Sequence, residues 1–158
     1  MNVQFELDGT DVTVELSPAQ PLRDVLRNQF GKTCVKRGCD SGRCGACTIL
    51  LDGKPVKSCL VMSGKVEGCS VETVDSVLAD GELHAVQEAF KTNFSSQCGY
   101  CTPGFIMNAV QYVESEAGSE PNRKAIKNAL KGNVCRCTGY EKIVDAVEDA
   151  VSQRKELE

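Results

Sequence analysis

Hydrophobic and polar residues alternate at the start of the chain. Val3, Phe5 and Leu7 form one run, Val12, Val14 and Leu16 another, and Asp8-Gly9 lies between them. A period of two interrupted by an Asp-Gly pair predicts a β-hairpin. After Pro21 the period changes. Leu22, Val25, Leu26 and Phe30 recur at helical spacing and Gly31 closes the run, which predicts a helix. A strand is expected from Thr48 to Leu51, turned by Asp52-Gly53, and a last strand around Val71, Thr73 and Val74. These pieces make a small mixed sheet crossed by one helix. Beyond Asp80-Gly81 the pattern is helical throughout. Leu83, Val86, Phe90 and Phe94 share one face. Phe105, Ile106, Ala109, Val110 and Val113 share a second. Ile126, Ala129 and Leu130, stopped by Gly132, form a third, and Ile143, Val147, Ala150 and Val151 a fourth. Four short helices in succession predict a bundle. The expected class is α+β, with one domain over residues 1–76 and a second over 77–158.

Composition narrows the function. The 158 residues carry 18 Lys and Arg against 22 Asp and Glu, a net charge of −4, with no basic stripe. That balance argues against nucleic acid as a partner. Hydrophobic residues make up 41% and charged residues 25%, as in a folded globular chain. No apolar run approaches the roughly 20 residues that span a bilayer, so no membrane is expected. The first residues have neither a basic start nor an apolar stretch, so no export signal is expected and the chain is assigned to the cytoplasm.

The unusual number is ten cysteines beside one histidine, His84, and no tryptophan. In a reducing compartment clustered cysteines are metal ligands or redox groups rather than disulfides. Cys39, Cys44 and Cys47 make C-x4-C-x2-C, followed by Cys59. Cys98 and Cys101 make C-x2-C, and Cys135 and Cys137 make C-x-C. Cys34 and Cys69 lie outside ligand spacing and are expected to be structural. Zinc prefers paired knuckles, whereas C-x4-C-x2-C with a later cysteine is the plant-type [2Fe–2S] spacing. A two-iron rhomb is wider than one ion, so its ligands come from a loop that wraps it. Gly38, Ser41, Gly42, Gly45 and Ala46 are small enough to permit that wrapping. The first half therefore reads as β-grasp, plant-type ferredoxin-like.

The helical half holds a weak repeat. Cys101-Thr102-Pro103 opens one helix and Cys137-Thr138-Gly139-Tyr140 another. Thr102 and Thr138 are expected N-caps, with Pro103 at the first helical position and Glu141 completing a capping box with Thr138. Two helix N-termini would then face the same thiolates, and their positive ends suit a negatively charged centre.

Three segments in order, 38–48 (GCDSGRCGACT), 97–104 (QCGYCTPG) and 132–140 (GNVCRCTGY), resemble the small iron–sulfur subunit of the molybdenum hydroxylases, the xanthine oxidase/dehydrogenase family. The resemblance runs from the first hairpin to about residue 151. It implies two [2Fe–2S] clusters, one on Cys39, Cys44, Cys47 and Cys59, the other on Cys98, Cys101, Cys135 and Cys137. It implies a large partner subunit that binds a molybdenum–pterin cofactor and a medium partner that binds FAD, in a heterotrimer or a dimer of heterotrimers. Gln97 and Cys137 match positions that touch the pterin in that family. One position departs from the common pattern: Arg43 stands where many members have an acidic residue, with Lys36 and Arg37 nearby.

The expected role is electron transfer between molybdenum–pterin and FAD, within an oxidoreductase complex and with no catalytic residue in this chain. The alternative is a free-standing two-cluster ferredoxin that diffuses between partners.

Overall fold

A computed structural model describes residues 1–78, 81–116 and 120–157. Asp80, half of the expected boundary signal, lies outside the described residues. The hairpin forms. β1 (Asn2–Leu7) pairs antiparallel with β2 (Thr10–Glu15), with Leu7 opposite Thr10. Asp8 and Gly9 have φ of 50° and 79°, the paired positive values whose twist matches right-handed strands. β1 buries Val3, Phe5 and Leu7 and exposes the residues between them. α1 (Leu22–Asn28) lays Leu22, Val25 and Leu26 on that core. The helix ends before Phe30, which instead meets Phe5 edge-on at a centroid distance of 5.8 Å.

β3 (Thr48–Leu51) turns through Asp52-Gly53 into β4 (Lys54–Lys57). β4 is an edge strand that the apolar pattern does not mark, because Lys-Pro-Val-Lys buries almost nothing. β5 (Ser70–Glu72) lies between β1 and β3, parallel to the first and antiparallel to the second. The five-stranded order is β2-β1-β5-β3-β4. β5 stops at Glu72, ahead of Val74. There Thr73 Oγ1 accepts from Asp75 N at 3.3 Å and starts a short 3-10 turn at Val74–Val77.

Four further helices follow: α2 (Ala85–Thr92), α3 (Thr102–Ser115), α4 (Arg123–Ala129) and α5 (Glu141–Leu157). Their stripes close on a second core that includes Val86, Phe90, Phe105, Ala109, Val113, Ile126, Ile143 and Val147. Two residues leave the expected face. Leu83 is exposed ahead of α2. Phe94 follows its end at φ 52° and is 84% exposed. The reason is local: Asn93 Nδ2 donates to Ala89 O at 3.0 Å at the helix end, and the chain turns outward after it. Among the described residues the fold is thus α+β, with a mixed sheet and five α-helices. The two cores share no residue, and the halves meet where α3 packs on β3. Among the described residues no helix is long and apolar enough to cross a membrane.

Candidate metal centres

The loop from 36 to 47 joins α1 to β3 and is clamped at several points. Lys36 N donates to Ala46 O at 3.2 Å. Arg27 Nη1 donates to Val35 O at 2.9 Å. The guanidinium of Arg23, only 3% exposed, bonds Asp24 and reaches Asp40 in the loop, and Arg37 Nε donates to the same Asp40 at 2.9 Å. Cys39, Cys44 and Cys47 lie on this loop. Cys59 joins them from the turn Ser58–Leu60, drawn in because Ser58 donates through N and Oγ to Cys47 O at 3.3 and 2.7 Å. The Cys47 thiol acts on Cys59, and Cys44 N donates to Cys39 Sγ at 3.3 Å.

The second group is assembled from two distant loops. Cys98 and Cys101 precede α3, and Cys135 and Cys137 precede α5. The free thiol of Cys101 interacts with Cys135 and Cys98, and that of Cys137 with Cys98 and Cys135, so the four gather into one ring. The expected caps differ. Cys101 itself occupies the N-cap position of α3, so Thr102 is the first helical residue, and its Oγ1 meets Ser96 Oγ at 3.0 Å. Thr138 forms no capping box with Glu141. Its Oγ1 and N donate to Cys135 Sγ at 3.1 and 3.4 Å, and Glu141 binds Arg123 and Lys127 instead. A threonine beside a sulfur gains a charge-assisted bond that outweighs an ordinary cap. The capping box occurs elsewhere: His84 Nδ1 accepts from Val86 N at 3.1 Å and Gln87 Oε1 accepts from His84 N at 3.0 Å.

Each group pairs a thiol that ionises easily with one that resists. Hydrogen bonds from Ser41 and Cys44 lower Cys39 to about 6. Burial and the Cys47 thiol push Cys59 up to about 11. Burial and Cys135 push Cys101 up to about 12. Burial alone would raise Cys135, but the Thr138 bonds bring it below the usual thiol value. Four adjoining thiols cannot all ionise unless a positive centre compensates them. That is the donor chemistry of an iron–sulfur cluster, and four sulfurs per group match its ligand number. The backbone agrees: a Cβ on Gly38 would lie 2.7 Å from Cys44 Sγ. Among the described residues no three His, Cys, Asp or Glu side chains converge as on one metal ion.

The groups stand back to back. Val134 N donates to Cys44 O at 2.9 Å, linking the first loop to the residue before Cys135. A cavity of about 170 Å³ between them is lined by Cys44, Cys98, Cys101, Tyr100 and Val134, among others. A larger groove of about 640 Å³, by His84 and Glu114, lies away from all ten cysteines. Beside the cavity is a polar hub that no spacing rule foretells. Gly45 O accepts from Thr48 Oγ1 at 2.7 Å and from Asn133 Nδ2 at 3.3 Å. Asn133 Oδ1 accepts from Asn108 Nδ2 at 2.6 Å and from Lys57 Nζ at 3.1 Å. The backbones nearly touch here: a Cβ on Gly104 would sit 2.2 Å from Gly45 O.

The structure therefore brings Cys39, Cys44, Cys47 and Cys59 together, and separately Cys98, Cys101, Cys135 and Cys137. Gln97, next to Cys98 in the chain, is exposed, and so is Cys137. Cys34 faces Asp75, Thr73 and Asp8, and Cys69 faces Asp52 and the carbonyls of Lys65 and Glu67, so neither joins a group. Arg43 is exposed, whereas Lys57, two residues before Cys59, is half-buried.

A protein with this sheet, these helices and two rings of four cysteines belongs to the iron–sulfur proteins. Residues 5–88 match the 2Fe-2S iron-sulfur cluster binding domain, and residues 71–148 match the [2Fe-2S] binding domain. The chain is 45% identical to the nicotine 6-hydroxylase small subunit of Paenarthrobacter nicotinovorans, over 97% of this chain and 91% of that one. It is 37% identical to the xanthine dehydrogenase iron-sulfur-binding subunit of Escherichia coli O157:H7, over 94% and 93%. A chain of quinoline 2-oxidoreductase from Pseudomonas putida 86 superposes with a TM-score of 0.93 at 38% identity, over 99% and 96%. The chain belongs to the family of small [2Fe–2S] iron–sulfur subunits of the molybdenum hydroxylases.

Proposed function

We propose that this chain is the electron-transfer subunit of a molybdenum-containing hydroxylase or dehydrogenase. The observation that carries the reading is the pair of four-cysteine rings set back to back, one hydrogen bond apart through Val134 N and Cys44 O. Cys39, Cys44, Cys47 and Cys59 hold one [2Fe–2S] cluster in a ferredoxin-like domain, residues 1–76. Cys98, Cys101, Cys135 and Cys137 hold the other in a four-helix bundle domain, residues 77–158. Bound there, the clusters supply one-electron chemistry between molybdenum–pterin on a large partner subunit and FAD on a medium one. Gln97 and Cys137 are both exposed, and these two residues are our assignment for the pterin contact. Relatives named as small or iron–sulfur-binding subunits support partners of this kind, in a heterotrimer or a dimer of heterotrimers.

The chain's own residues orient thiolates and shield them. Ser41, Thr138 and backbone N–H groups donate to sulfur, and Arg23 and Arg37 hold the first loop through Asp40. The one histidine is committed to capping α2, so chemistry on substrate falls to the partner.

Iron and sulfide analysis of anaerobically purified protein, with EPR after reduction, tests the assignment. Two distinct rhombic signals and equal iron and labile sulfide are expected. A colourless protein, or iron for one cluster only, overturns it. Gel filtration after gentle lysis should show a complex much larger than 17.0 kDa. Elution at that mass would identify a diffusible ferredoxin instead.

A further inference from the structure

A half-buried cation ties the two halves of the molecule together. Lys57, on edge strand β4, donates through Nζ to Thr48 Oγ1 at 2.8 Å and to Asn133 Oδ1 at 3.1 Å. Asn133 is 6% exposed and two residues from Cys135, and its Nδ2 reaches Gly45 O, the residue after Cys44. The ammonium is thus pinned by groups from both halves. Moving it to solvent would leave a buried asparagine oxygen with one donor fewer, which costs free energy. Arg43, in contrast, is exposed, and an exposed charge is screened by water and salt. A half-buried charge acts several-fold more strongly at the same distance.

Lys57 feels the first ring in particular. Lys57 stands two residues before Cys59, and its partner Thr48, opposite it across the β3–β4 ladder, directly follows Cys47, whereas its tie toward the helical ring runs through Asn133, two residues from Cys135. A [2Fe–2S] centre on four thiolates is already negative, and taking up one electron adds one more negative charge without making or breaking a bond. A fixed cation stabilises the reduced form more than the oxidised form, and net charge near the cluster is one of the levers that set its potential.

We propose that Lys57 raises the reduction potential of the Cys39–Cys59 centre relative to the helical centre, and that Asn133 is the positioning residue that holds the ammonium in place. The proposal rests on the electron-transfer reading above.

The test is an EPR-monitored redox titration of the full chain in its native complex, with signals assigned by Cys44→Ser and Cys135→Ser. In Lys57→Met the reduced-to-oxidised ratio of the ferredoxin-like centre at fixed potential should fall about tenfold, a shift of about 59 mV for one electron. The helical centre should move less, and Lys57→Arg should restore most of the shift. An unchanged midpoint in Lys57→Met with both signals at full intensity overturns the proposal. So does an equal shift in Lys57→Arg. If Lys57→Met loses iron, Lys57→Gln keeps a donor to Asn133 without the charge and is judged by the same criterion. Loss of iron in both neutral variants but not in Lys57→Arg would make Lys57 a structural tie and also overturn it. A wild-type chain without two signals and matching iron would instead defeat the electron-transfer reading.

Discussion

The two cysteine rings are built by opposite routes. In the β-rich half, Cys39, Cys44 and Cys47 share one loop, and Cys59 arrives one hairpin later on the turn after β4. In the helical half, two pairs come from loops separated by α3 and α4, and they meet only because α3 and α5 pack on a common core. The first ring is mostly a property of a loop; the second is a property of tertiary structure. Yet both end with one thiol favoured as thiolate, Cys39 or Cys135, and one strongly resisting, Cys59 or Cys101. Hydrogen-bond donors at one corner and burial at another recur because the same positively charged iron–sulfur core would impose the same demand on either scaffold.

The largest effects should come from breaking one ring at a time. Cys44→Ser should remove half of the iron and one EPR signal, and Cys135→Ser the other half and the other signal. Stability should suffer more in Cys135→Ser, because there the metal ties two helix starts together, and metal binding is folding free energy. Disappearance of both signals in either variant would show that the rings are not independent.

The contact between the halves comes next. In Gly104→Ala the new methyl would meet Gly45 O at 2.2 Å. Backbone on backbone cannot yield cheaply, so a loss of about 2–3 kcal/mol is expected by chemical denaturation. The ferredoxin-like EPR line shape should change as well, since Gly45 lies between two of its cysteines. An unshifted midpoint with an unchanged signal would mean that the close approach is not maintained in solution.

A smaller effect, confined to the helical half, is expected from His84→Ala. It removes the cap on Val86 N and the contact to Glu114 Oε1 at 3.2 Å. Loss of such a cap costs about 1 kcal/mol. Hydrogen exchange should quicken at the start of α2 and remain unchanged in β1 and β5. Faster exchange in the sheet would mean that the halves unfold as one unit.

The smallest effect concerns pH. Arg123 holds Asp145 below the ordinary carboxylate value, and Lys127 followed by Arg123 does the same for Glu141. Carboxylates with lowered folded values stabilise the fold fully above their unfolded values of 3.8 and 4.5. That stabilisation fades as pH falls through the folded values. Arg123→Ala should therefore lower the melting temperature slightly at neutral pH and leave it unchanged in acid below both values. An equal loss at both pH values would mean that Arg123 contributes through packing alone. The pairs are exposed, so the neutral-pH loss should be the least of the four.

Much of the scaffold follows from periodicity. The alternation around Asp8-Gly9 gave the hairpin and its register, because a two-residue turn leaves one way to bury Val3, Phe5 and Leu7 together. The stripes of α3 and α5 were legible for the same reason: their apolar residues have one face to share. The C-x4-C-x2-C spacing marked the first loop, since three ligands on one short segment need no tertiary partner to be recognised. Other features could not be read this way. β4 is an edge strand with little apolar surface, so its pairing with β3 leaves no period. Phe94 kept the helical spacing but not the helix, because spacing marks a face and does not mark where the backbone turns away. Thr102 and Thr138 fit the cap pattern, yet the space around them offered Ser96 and the Cys135 sulfur. Lys57, Asn108 and Asn133 are ordinary polar residues along the chain. They became a buried hub only when α3, β4 and the loop before Cys135 converged on Gly45. Local sequence sets what each segment prefers within a few residues. Which distant groups must satisfy one another's hydrogen bonds and charges is decided only when packing removes the water between them.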